Sequence, residues 1–69
     1  MTGSEFKTLR QAAGLTQQAL ADLAGLNIRQ IQRLEKGDVS LGDMVAKNLF
    51  AIADALNVDP RNLIEKAEV

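Results

Sequence analysis

The sequence predicts an all-α domain built from five short helices, and three observations carry that expectation. Hydrophobic residues make up 46% of the 69 positions, and much of that share is alanine and leucine, both strong helix formers. Tyrosine and tryptophan are absent and only Phe6 and Phe50 are aromatic, so the residue types that favour strands are scarce. Apolar residues recur at helical spacing between cap and glycine signals. A chain this short buries only about 60% of its unfolded surface, which makes it one domain with a small core.

Taken in order, Ser4 reads as the N-cap of a first helix whose Phe6, Leu9 and Ala13 share a face, ended by Gly14. Nothing marks the first three residues as structural, and an expression remnant is one reading of them. Thr16 caps a second helix from Gln17 to about Ala24, with Leu20 and Leu23 inward and Gly25 as a left-handed stop. Asn27 caps a third helix, Ile28 to about Glu35, terminated by Lys36-Gly37. A loop with Ser40 and Gly42 follows, up to Val45. The fourth helix, about Ala46 to Asn57, carries Leu49, Ile52, Ala53 and Leu56 as its apolar stripe. Met44 and Phe50 read as core or interface packing. Asp59-Pro60 opens a last helix, because a proline at the first helical position loses no needed hydrogen bond; Leu63 and Ile64 form its inner face. No internal repeat or linker divides residues 1–69, so they read as a single domain.

Composition narrows the function. Cysteine and histidine are both absent, which excludes disulfides and the common zinc sites and leaves no expected metal or cofactor. The missing cysteines fit an intracellular, cytoplasmic location, and no apolar run approaches the roughly 20 residues that span a bilayer. An enzyme is disfavoured: there is no histidine or cysteine for chemistry near neutral pH, no phosphate-binding glycine loop and no spaced carboxylate cluster. The formal net charge is −1, which by itself argues against a polyanionic partner. Its distribution argues otherwise. Lys7, Arg10, Arg29, Arg33, Lys36 and Lys47 precede Arg61 and Lys66, while Asp54, Asp59, Glu65 and Glu68 load the C-terminal third with acid. A basic face opposed by an acidic end can meet DNA and still sum to nearly zero.

The stretch from Gln17 to Glu35 matches the needs of two short helices crossing over a glycine turn, a helix-turn-helix. Leu20 faces the body and Ala21 is small where the third helix crosses close above it. Gly25 sits where the chain reverses, and Leu26, Ile31 and Leu34 pin the third helix onto the second. On that third helix, about 100° per residue sends Ile31 and Leu34 to one side and Arg29, Gln32, Arg33 and Lys36 to the other. Ile28 lies at the edge of this outer face. Arginine suits guanine O6 and N7, glutamine suits adenine N6 and N7, and an apolar side chain suits the thymine methyl. Ile28, Arg29, Gln32 and Arg33 are therefore the expected base-reading residues, with Asn27 at the margin. Gln17 at the start of the second helix, Asn27, Lys36 and Lys47 are the expected phosphate contacts, which fix register without reading sequence.

Several motifs resemble those of the lambda-repressor-like, or Cro/XRE-type, helix-turn-helix family of transcriptional regulators. They are Leu9-Arg10, Gly14-Leu15-Thr16-Gln17, Leu20-Ala21, Ile31, Leu34-Glu35-x-Gly37 and the tail Ile52-Ala53-x-Ala55-Leu56-x-Val58-x-Pro60. The resemblance runs from about Phe6 to Ile64. It implies a five-helix bundle that binds an operator as a dimer, represses transcription and comes from a bacterium or its phage. It also implies a structural ion pair between Arg10 and Glu35, making Arg10 mainly a brace. Where the family usually caps its fourth helix with serine or threonine, this chain has Val45, so the helix start is open and Ser40 or Asp43 is a candidate cap for an earlier turn. Dimerisation is expected through the last two helices, where Val58, Pro60 and Leu63 are the apolar groups available. An alternative of another class is an antitoxin-like module whose main partner is a toxin or other protein, with DNA binding secondary.

Overall fold

A computed structural model of the chain describes residues 1–64 and shows α-helices α1 (Gly3–Ala12), α2 (Gln17–Ala24), α3 (Ile28–Lys36), α4 (Ala46–Leu56) and α5 (Pro60–Ile64). A single 3-10 turn, Leu41–Asp43, lies between α3 and α4, and there is no strand among the described residues. The all-α class and the helix-turn-helix order are as the sequence predicts.

The start of α1 differs from the sequence reading. Its N-cap is Thr2, not Ser4: the Thr2 hydroxyl accepts from the Glu5 amide at 3.1 Å while the Glu5 carboxylate accepts from the Thr2 amide at 2.7 Å. This reciprocal box satisfies two donors that the helix itself leaves unpaired. Ser4 sits inside the first turn, where its carbonyl accepts from the Thr8 hydroxyl at 3.1 Å. The first three residues are structural: Met1 packs half-buried against the core, and Gly3 lies against the end of α3. A Cβ at position 3 would overlap the carbonyl oxygens of Glu35 and Leu34, so the close approach of the two helices requires glycine there. Ala13, read as part of the inner face of α1, is exposed as its C-cap.

The helix-turn-helix is capped at every end. Thr16 accepts from the Ala19 amide at 3.0 Å, and Gly25 closes α2 with φ of 69°, a conformation that costs a side-chain-bearing residue free energy. Asn27 accepts from the Arg29 amide at 2.8 Å, and Gln30 reaches back to accept from the Asn27 amide at 3.1 Å. Past the end of α3, the amides of Gly37 and Asp38 donate to the carbonyls of Leu34 and Arg33, at 3.3 and 3.0 Å. That pairing is a Schellman closure.

The segment read as a loop holds the 3-10 turn, which buries Leu41 and brings Met44 half into the core. Ser40 precedes the turn but bonds the Asp43 carboxylate, at 3.0 Å, and caps no amide. Val45 is the N-cap of α4 and supplies no side-chain bond, so the helix starts at Ala46 with its first turn uncapped by a side chain. Asn57, placed in α4 by the sequence, ends it in the left-handed conformation with φ of 59°. At the start of α5, Asp59 accepts from the Arg61 amide at 2.9 Å.

Phe6, Leu20, Ile31, Ile52 and Leu63 are the large, fully buried side chains; Ala21, Leu34, Leu41, Leu49, Ala53 and Leu56 complete the core. The packing runs α1 on α3, α2 on α3 and α4, and α5 on α4 and the 3-10 turn. Leu23, expected inward, and Phe50, expected as core or interface packing, both stand outside the core for one reason. Leu23 is 63% exposed and Phe50 is 52% exposed, so neither is core. At about 100° per residue, the inner arc of α2 passes through Leu20, Ala24 and Ala21, and Leu23 lies about 110° from its centre. Phe50 stands equally far from the Leu49–Ile52–Ala53–Leu56 stripe. Leu63, at 1% exposure, is on the inner side of α5 as expected, and so offers nothing to the dimer surface for which it was also expected. The Ile64 side chain and residues Glu65, Lys66 and Glu68 lie outside the described residues. Among those described, no helix is long and apolar enough to cross a membrane.

Gly3→Ala decides whether the α1–α3 approach is as tight as it looks. Helix propensity alone would make alanine stabilising by about 1 kcal/mol. The backbone overlap reverses the sign, and a net loss of about 1–3 kcal/mol is expected in urea unfolding. A neutral or stabilised variant would refute the contact.

Candidate nucleic-acid interface

The third helix divides cleanly into two sides. Ile31 and Leu34 are buried, whereas Arg29, Gln32, Arg33 and Lys36 are exposed on the opposite side. None of these four side chains makes a hydrogen bond or ion pair among the described residues. Together with Asp38 they line one shallow concavity. Ile28 is half-buried and packs against the core, so only part of its side chain is left to the outer face. The Asn27 side-chain oxygen accepts from the Arg29 amide as a cap, so its side-chain nitrogen is the group left to donate elsewhere.

What holds this helix in place is a charged cluster under its inner edge. Arg10 of α1 donates through Nε to Glu35 Oε2 at 2.5 Å and through Nη2 to Oε1 at 3.2 Å. Its Nη1 donates to the Leu15 carbonyl at 2.7 Å, in the turn between α1 and α2. Gln17 of α2 adds a bond from Nε2 to Glu35 Oε1 at 3.1 Å. The pair is nearly out of water, with side-chain exposures of 8% for Arg10 and 6% for Glu35. One carboxylate on α3 is thus gripped from both α1 and α2. Burial pushes the Glu35 carboxyl up, but hydrogen bonds from Arg10 and Gln17, with the charges of Arg10 and Lys7, outweigh it and hold it below the ordinary value.

These contacts tie one of the expected phosphate-binding residues, Gln17, to Glu35. Every nitrogen of the Arg10 guanidinium has a protein acceptor, so this arginine serves as a brace. Gln17 keeps one amide hydrogen beyond its bond to Glu35, and its backbone N–H opens α2, where the first-turn amides have no intrahelical acceptor. Lys36 and Lys47 are exposed, at the end of α3 and in the first turn of α4. The sequence reading missed the cap role of Gln30 and the Gln17–Glu35 link. The first was visible as Asn27-x-x-Gln30, the spacing of a capping box. The second joins residues 18 apart and has no local signal.

Two short helices packed across a left-handed glycine, the second presenting an unpaired basic and amide face on a rigid frame, define a helix-turn-helix DNA-binding unit. A family model described as Helix-turn-helix matches residues 6–63. Among solved structures, the chain is similar to the restriction-modification controller protein C.AhdI from Aeromonas hydrophila. The two share 34% identity over 90% of this chain and 89% of that one, with a TM-score of 0.77. No curated protein matches. The chain belongs to the Helix-turn-helix family, of the Cro/XRE type, and is a DNA-binding transcriptional regulator.

Because the folded-state pKa of Glu35 is depressed, the unfolded chain takes up that proton first as pH falls. The stability this carboxylate contributes is present above its ordinary pKa of 4.5 and is lost as pH drops through the lower, folded value. Glu35→Gln should therefore unfold more readily than wild type near neutral pH, by about 3–5 kcal/mol if the Arg10 charge is left buried and unpaired. The gap should narrow below pH 4.5 in denaturant titrations. A gap independent of pH would show that the pair adds no charge-dependent stability.

Proposed function

We propose that this chain is a sequence-specific repressor that lays α3 in the major groove and binds a paired operator as a dimer. The observation that carries the reading is the outward face of α3: Arg29, Gln32 and Arg33 stand exposed and uncommitted on a helix capped at both ends. In this reading Arg29, Gln32 and Arg33 contact base edges, and Ile28 offers its free edge to a thymine methyl. Gln17, Asn27, Lys36 and Lys47 anchor the phosphate backbone. The two half-sites lie about one helical turn apart, some 34–36 Å between recognition helices. The likeness to a restriction-modification controller supports a regulatory role for a domain of this fold and extent.

Dimerisation through α4 and α5 draws support from Phe50, a large apolar side chain left half in water on α4, and from the part-exposed Val58 and Pro60. Phe50 takes the place the sequence reading gave to Leu63. A repressor needs no additional surface beyond these: an operator overlapping a promoter suffices.

Selection of bound sequences from a random duplex pool tests the reading directly. Wild type should enrich a two-fold-related motif. Arg29→Ala should lose discrimination at one position in each half-site, with a cost of about 1–3 kcal/mol for each contact. Lys47→Ala should weaken binding to all sequences alike and flatten the dependence on salt. A pool that returns no motif would overturn specific regulation. A monomeric footprint would overturn the dimer.

A further inference from the structure

Asp38 places a carboxylate where DNA is expected. It lines the same shallow concavity as Arg29, Gln32, Arg33 and Lys36, is exposed, and lies within ion-pair distance of no cation among the described residues. Its backbone is fixed, because its amide donates to the Arg33 carbonyl at 3.0 Å in the closure of α3. The side chain therefore cannot leave the groove by a local swing of the main chain. Helix stability does not explain its presence: an anion just past a C-terminus meets the negative end of the helix dipole, where a cation is favoured. Two other carboxylates lie near this helix: Glu35 is neutralised by Arg10, and Asp43 lines a separate concavity with Gln30 and Arg33 and accepts from the Ser40 hydroxyl at 3.0 Å. Asp38 is not neutralised.

From this placement, and resting on the reading of α3 as the DNA-contacting helix, we infer that Asp38 sets specificity by repelling the phosphate backbone. The three neighbouring cations attract any duplex, whatever its sequence, through counterion release. A negative charge carried on this anchored backbone among them subtracts from that uniform attraction. Arg29 and Gln32 still gain their hydrogen bonds at the correct bases. The sequence-independent part of binding falls and the specific part is kept, so the ratio between them rises. Asp38 lies two residues past the C-terminal end of α3, whereas base edges meet the N-terminal residues of a recognition helix; that position puts it nearer phosphate than base.

The test compares wild type, Asp38→Asn and Asp54→Asn by titration onto the selected duplex and an unrelated duplex of equal length, at two salt concentrations. Asp54 is exposed on α4, one turn on from Phe50, and is not part of the concavity; with the dimer state of every variant matched by sedimentation, its substitution makes the same change in net charge elsewhere. Asp38→Asn should tighten binding to the unrelated duplex by about three- to tenfold at low salt, with the gain shrinking as salt rises. The ratio of selected to unrelated affinity should fall, and Asp54→Asn should move either affinity much less. Thermal unfolding of Asp38→Asn should be unchanged or slightly later, so the shift is not one of folding. Equal effects from both substitutions would overturn the inference in favour of net charge. Loss of affinity confined to one base pair would overturn it in favour of a direct contact with a cytosine amino group. Unchanged binding to the unrelated duplex would also overturn it. Each of these leaves the DNA-binding reading standing, whereas failure of wild type to bind either duplex would overturn both.

Discussion

The arrangement of this domain depends on one buried ion pair. Glu35, in the last turn of α3, holds a carboxylate that is nearly out of water, and the Arg10 guanidinium does most to make that tolerable. Removing two charges from water costs several kcal/mol for each ion, so the pair is not a strong net source of stability. What it provides is direction. A bidentate guanidinium–carboxylate contact fixes an angle as well as a distance, and Gln17 reads the same carboxylate from α2. Apolar contacts among Leu20, Ile31 and Leu34 would tolerate a modest rotation of α3 about its axis. The charged cluster does not. It sets which residues of α3 face outward, and so which side chains are available to a ligand.

From that constraint follows the division of α3 into an anchored side and an uncommitted one. Caps close the helix at both ends and its inner residues are buried, so its backbone is ordered before any partner arrives. Arg29, Gln32 and Arg33 retain their rotamer freedom, and binding costs the ordering of side chains alone, about 0.5–1.5 kcal/mol for each. A frame rigid in the backbone and adaptable at its tips suits a surface whose groove geometry varies with sequence. The same frame explains why the short domain tolerates an exposed Leu23 and Phe50. With 69 residues there is too little interior to cover every apolar side chain.

Most of the architecture was legible because it is local. Thr16, Gly25, Asn27 and Gly37 announce helix ends through their own chemistry, and the Leu49–Ile52–Ala53–Leu56 stripe announces a face. The misreadings arise where local signals compete or where packing decides. Thr2 and Ser4 are both good caps, and Glu5 favours Thr2 because it stands three residues on, the spacing at which its carboxylate reaches the Thr2 amide. Leu23 and Phe50 are as apolar as their buried neighbours, and only the angle between each helix and the core assigns them to water. Leu41 is buried in a segment with no helical period at all, held by a 3-10 turn too short to leave one. For the candidate site, residue type and helical phase gave the outer face of α3. The tie from Gln17 to Glu35 and the position of Asp38 in the groove depend on tertiary distances.

The near-zero net charge, which first counted against a polyanionic partner, takes on a different meaning once the charges are placed. Arg10 is spent on Glu35, and Arg61 is paired with Asp59 at 3.1 Å, so neither contributes a free cation to the surface. The cations left in the open lie largely on and around α3: Arg29, Arg33, Lys36 and Lys47. A field made by few charges close together falls off within a Debye length of about 8 Å at physiological salt. It acts at contact and does little at range. Such a domain gains little from long-range attraction to DNA in general, and its affinity must come from groups that touch. On the proposed reading of α3, the identities of Arg29 and Gln32, and the negative charge of Asp38 beside them, then weigh more than the sum over the chain.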